Sequence, residues 1–127
     1  MSKFTKFDAD KLRMDLVPPE LMLGTAAVLT YGARKYSPNN WHAGAGWSRY
    51  YAALQRHLVA WWSGERVDAD TGFSHLDHAA CNLAFLMAYE GRGLGTDDRS
   101  VDLGGLVGYY QKKLSECQVR GEAGDAE

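Results

Sequence analysis

Residues 47–82 read WSRYYAALQRHLVAWWSGERVDADTGFSHLDHAACN, and this stretch decides the fold. Tyr51, Leu54, Leu58, Trp61 and Trp62 recur at steps of three and four, the spacing that lays an apolar face along a helix. Ser48 is placed to cap that helix and Gly64 to end it. After the linker ERVDADTG, Ser74 and Asp77 have the spacing of a capping box, so a second helix is expected to start there. A connection this short makes the two helices antiparallel neighbours. His75, His78 and Asn82 share a stripe of the second helix, while Arg56 and His57 sit on the first. Basic, imidazole and carboxylate groups are therefore expected to meet in one place.

Before this pair, residues 1–18 read as an extended arm, because Pro18 keeps Val17 out of the helical region; the arm is expected to lie across a later element. Pro19 and Glu20 open a helix over residues 19–36, followed by Leu21, Thr25, Val28 and Leu29 at helical spacing. Gly24 and Gly32 each cost it about 1 kcal/mol relative to Ala, which predicts a close backbone approach or a break near Gly32. SPNNWHAGAG is then a loop carrying Trp41 and His42. Beyond the pair, Gly91 is expected to end the second helix and GRGLGTDDRS to link it to another, marked by Leu103, Leu106, Val107, Tyr110 and Leu114. Gly104, Gly105 and Gly108 weaken that last helix, so it needs a partner surface. The predicted class is all-α: a compact bundle of about four helices with an extended N-terminal arm, one domain over residues 1–120, and a disordered acidic tail over residues 121–127.

The 127 residues carry a net charge of −2 with no long basic stripe, so a nucleic-acid polymer is not an expected partner. Cys81 and Cys117 form neither CxxC nor a disulfide framework, which predicts a reducing cytoplasm. The longest apolar run, around residues 83–89, is too short to span a bilayer. Short helices rich in aromatics predict a homodimer or larger homo-oligomer.

His57, His75 and His78 are candidate metal ligands or general bases, with hydrogen-bonded structural roles as the competing reading. HxxH puts two rings on one face but lacks the glutamate of HExxH zinc proteases. Glu65, Asp68, Asp70 and Asp77 offer hard oxygen atoms of the kind that hold Mg²⁺. An exposed acidic turn equally explains Asp68 and Asp70, and capping explains Asp77; Glu65 is the carboxylate singled out first. Arg34, Lys35 and Arg56 are candidate phosphate contacts, or else solvated helix charges. Trp41, beside Asn40 in a polar loop, is the candidate shelf for a purine ring, whereas Trp61 and Trp62 are expected in the core.

Four blocks, RMDLVP at residues 13–18, GARKYSPNNW at 32–41, WSRYYAALQRHLVAWWSGE at 47–65 and DADTGFSHL at 68–76, resemble the phage-type dATP/dGTP diphosphohydrolase N-terminal domain family, often linked to the MazG-like all-α nucleotide pyrophosphohydrolases. The resemblance implies hydrolysis of a purine deoxynucleoside triphosphate to monophosphate and pyrophosphate, with Mg²⁺ or Mn²⁺. It carries over Lys35, Tyr36, Asn40, Trp41, Arg56, His57, Gly64, Glu65, Asp68, Gly72 and His75 as shared positions. Together with the residue reading, it makes His57 and Glu65 the expected catalytic groups and Glu65, Asp68, His75 and His78 the expected metal ligands. Arg34, Lys35, Tyr36, Asn40, Trp41, Arg56 and Asn82 are the expected substrate contacts. Where MazG-like enzymes carry ExxE and ExxD, this chain has QRHLVA and HLDHAACN. Two functions follow: an enzyme in which Glu65, Asp68 and histidines replace the missing carboxylates, or a non-catalytic nucleotide-binding protein using the same pocket. A helical bundle without a ligand is the third reading.

Overall fold

The computed structural model describes residues 3–100 and 103–117, and the described residues form helices without a sheet. The expected tail at 121–127 lies outside them. Four helices follow in order: α1 Pro19–Lys35, α2 Trp47–Trp62, α3 His75–Arg92 and α4 Leu103–Glu116. Short 3-10 turns at Met14–Leu16 and Asn40–Ala43 interrupt the arm and the α1–α2 loop. The class is all-α, as the helical periodicity predicted.

α3 is the central helix, with α2 and α1 packed against it. Its Tyr89 is wholly buried (0% exposed), and Ala79 and Cys81 are also buried. The Tyr89 hydroxyl donates to the Trp41 carbonyl at 2.6 Å, and its ring meets Tyr50 edge-on at 5.3 Å. Phe85 joins Tyr50 and Trp41 at 4.9 and 5.1 Å. The aromatic core thus ties the α1–α2 loop to both central helices. On the other side of α3, α1 approaches at Gly24, where a Cβ would collide with the Asp77 carboxylate. This is the close approach that the glycine predicted; Gly32 has open space around it and the helix does not break there.

Several boundary details differ from expectation. α2 begins at Trp47 with Gly46 as its cap, so Ser48 lies inside the first turn. The carboxylate of Asp98 takes the capping role instead, accepting from the Ser48 N–H at 2.8 Å and its hydroxyl at 2.6 Å. At α3, Ser74 accepts from the Leu76 N–H at 3.0 Å, while Asp77 turns toward α1, so one half of the capping box forms. α3 continues through Gly91 to Arg92 and is closed by Gly93 in the left-handed region. Trp61 and Trp62 are 38% and 83% exposed rather than core residues. The stripe of α2 that faces α3 passes through Tyr50, Leu54 and His57; Trp62 is turned about 100° off it, and Trp61 falls on it in the last turn of α2. The arm over residues 3–18 is exposed throughout and does not cover another element.

Candidate functional site

The site is built on the turn joining α2 to α3. Gly64 and Gly72 both hold positive φ, +100° and +77°, which side chains with a Cβ rarely adopt. Across the turn Val67 and Ser74 pair antiparallel, the Asp68 N–H donates to the Phe73 carbonyl at 2.8 Å, and the His75 N–H to the Arg66 carbonyl at 2.9 Å. This frame brings Asp68 back over the start of α3. Its Oδ1 accepts the backbone N–H groups of Asp70 and Thr71 at 2.9 and 3.1 Å. Burial alone would raise the Asp68 pKa, but those N–H groups and the nearby imidazoles outweigh it and lower it.

His57, Asp68 and His75 each present a ligand atom within 4.8 Å of the others. The two Nδ1 atoms of His57 and His75 are 2.9 Å apart. His78 stacks on His57, with centroids 4.6 Å apart and planes 8° from parallel, and its Nε2 lies 2.7 Å from the Thr71 hydroxyl. Burial lowers the pKa of both His57 and His78, and the neighbouring imidazoles lower each further, so both rings are neutral at neutral pH. His75 is 5% exposed, and its Nε2 has no hydrogen-bond partner even though Glu65 Oε1 is 3.1 Å away. The carboxylate is near enough to attract but is off the direction of an N–H on that ring, so we read the contact as electrostatic only. That attraction favours the tautomer with the proton on His75 Nε2, leaving the His75 Nδ1 lone pair to accept from His57 Nδ1–H.

A cavity of about 610 Å³ opens beside this cluster, with His78 in its wall. Lys35, Tyr36, Asn40, Trp41 and Asn82 line it, so five of the seven expected substrate contacts converge there. Arg34 and Arg56 do not line it; both are exposed, and Arg56 projects from α2 away from the face that carries His57. Trp41 forms part of the wall with its ring packed against Phe85, so it is a half-buried wall residue, not a free shelf. Asn82 donates through Nδ2 to the His78 carbonyl at 2.9 Å, which fixes its amide plane. Glu65 and His78, both expected as metal ligands, stand beside the three-residue group: Glu65 against the outer nitrogen of His75, and His78 occupied by Thr71.

Sequence reasoning missed Thr71, Tyr50, Phe85 and Cys81. Thr71 could have been found from its place three residues after Asp68, the spacing of a side chain that caps a turn. Tyr50, Phe85 and Cys81 line the cavity from core positions and carry no sequence mark of a site. Burial pushes the Cys81 thiol up to about 11, so it serves as an apolar wall group.

The family described as dATP/dGTP diphosphohydrolase, N-terminal, matches residues 2–99. A Salmonella phage PMBT28 protein named "dATP/dGTP diphosphohydrolase" is 33% identical over 94 residues, covering 74% of this chain and 32% of that protein. The match therefore spans about a third of the relative's length. No solved structure matches. The matched residues contain α1, α2, α3 and every residue of the cluster and the cavity, and the chain belongs to the dATP/dGTP diphosphohydrolase N-terminal family.

Proposed function

We propose that the chain hydrolyses a purine deoxynucleoside triphosphate, dGTP or dATP, to the monophosphate and pyrophosphate. The observation that carries this reading is the aromatic-walled cavity of about 610 Å³ with His78 in its wall, stacked on His57 of the neighbouring group of two imidazoles and a carboxylate. A purine fits an apolar wall made by Trp41, Tyr50 and Phe85, with the amides of Asn40 and Asn82 available to its polar edge. Lys35, at the same wall, supplies positive charge for the phosphates.

The donor set suits a divalent ion: His57, Asp68 and His75 each offer a ligand atom within 4.8 Å of the others, and an ion would replace the hydrogen bond between the two Nδ1 atoms, with the His57 ring proton carried on Nε2 instead. Mixed imidazole and carboxylate ligation favours Mn²⁺ over Mg²⁺, which takes oxygen ligands. Such an ion, held by His57, Asp68 and His75, supplies charge neutralisation at the phosphate oxygens. Glu65, exposed and next to His75, is the carboxylate placed to accept a proton from water. Water oxygen bonds to the α-phosphorus, the bond to the bridging oxygen of the β-phosphate breaks, and pyrophosphate leaves. Two cysteines without a disulfide support a cytoplasmic setting for this work.

Incubation with dGTP or dATP and Mn²⁺ is expected to release pyrophosphate and monophosphate, with His75→Ala lowering turnover at least 100-fold while nucleotide still binds. Saturable binding without pyrophosphate, under either Mn²⁺ or Mg²⁺, would replace this reading with the non-catalytic nucleotide-binding one. The departure from ExxE and ExxD is the observation that favours that second reading.

A further inference from the structure

α4 is a 14-residue helix with three glycines, and none of its residues is buried. Leu103, Leu106, Val107, Tyr110 and Leu114 fall on one stripe and each is more than half exposed. Among the described helices the substantial contacts are α2 with α3 and α1 with α3; α4 shares in neither. An isolated helix of this length is marginal in water even when rich in alanine, and each glycine weakens it further. The apolar stripe therefore has to be covered for α4 to persist.

The same chain carries an apolar groove that suits it. Trp47, Tyr51, Leu83, Leu86, Met87 and Leu103 line a cavity of about 430 Å³ along α2 and α3. Its own α4 contributes only Leu103 to that wall and then leaves it. Glu90, Asp98 and Arg99 stand on the groove margin; Asp98 is held by Ser48 and Arg99 by Asp97, which leaves the Glu90 carboxylate as the charge opposite to Lys112 and Lys113 of α4. An obligate dimer buries about 1,000–2,500 Å² on each protomer, and the exposed stripe of α4 together with the groove is apolar surface suited to such burial.

We infer that α4 of one chain lies in the α2–α3 groove of a second copy, and reciprocally, so that two chains close about a two-fold axis. Each chain offers one helix and one groove, and the exchange leaves neither unfilled. This is an interaction surface separate from the cavity at His78 and does not depend on any catalytic activity.

The test uses the full chain with Cys117→Ser, keeping the buried Cys81. Met87→Cys and Val107→Cys are made in separate chains and mixed under mild oxidation. A disulfide between the two kinds of chain, together with dimer mass by light scattering, is the expected result. Leu106→Glu with Tyr110→Glu, which touches neither the cluster nor the cavity, is expected to give a monomer that keeps the circular dichroism of α1–α3. A wild-type monomer, a dimer that survives the double substitution, or a disulfide formed solely within one chain when both cysteines share it would each overturn the inference.

Discussion

At the scale of single residues, Thr71 holds two parts of the site together. Its hydroxyl oxygen accepts the Phe73 N–H at 3.2 Å and lies 2.7 Å from His78 Nε2 and 3.4 Å from Asp68 Oδ1. Since His78 is neutral, the one hydroxyl proton goes to the nearer Nε2, which leaves the ring proton on Nδ1. The same residue's backbone N–H fixes the carboxylate of Asp68. Groups that orient ligands without touching the ion commonly change affinity about 10–100-fold when lost. Thr71→Val keeps the shape and removes the hydroxyl, so calorimetric Mn²⁺ affinity should drop by about tenfold or more. Thr71→Ser should restore it. Equal affinity in the valine variant would show that the hydroxyl does not position the site.

At the scale of elements, α3 is held by the contact between its Tyr89 and the loop after α1. Tyr89→Phe removes the 2.6 Å hydrogen bond and leaves the Trp41 carbonyl without that donor, at a cost of about 1–3 kcal/mol. Urea denaturation should show this as a lower midpoint with an unchanged slope; an unchanged midpoint would mean that water replaces the hydroxyl without cost. The helices themselves were legible because apolar residues repeat at helical spacing and Pro19, Ser74 and Gly64 mark their ends. The cap of α2 was not, because Asp98 lies fifty residues away in sequence and local spacing favours Ser48. The exposure of Trp62 was illegible for a related reason: periodicity finds an apolar stripe, but only the partner helix decides which edge is buried. Here α3 selects the edge that carries His57.

At the scale of the whole molecule, the meeting of His57, His75 and His78 was legible once α2 and α3 were read as an antiparallel pair, and the structure places them together. Arg56, adjacent to His57 in sequence, is turned about 100° around the helix from it and so points elsewhere. The cavity itself was less legible, because Tyr50, Cys81 and Phe85 look like ordinary core residues until α1 and its loop close over them. Three helices, a turn and one loop thus combine into a single pocket with a ligand cluster at its edge. The central claim is that water attacks the α-phosphorus of a nucleotide bound there. The direct measurement is turnover of dGTP with Mn²⁺ in ¹⁸O-labelled water, followed by mass spectrometry of both products. The account predicts one ¹⁸O in the monophosphate and none in the pyrophosphate; label in the pyrophosphate, or release of intact triphosphate, would contradict it.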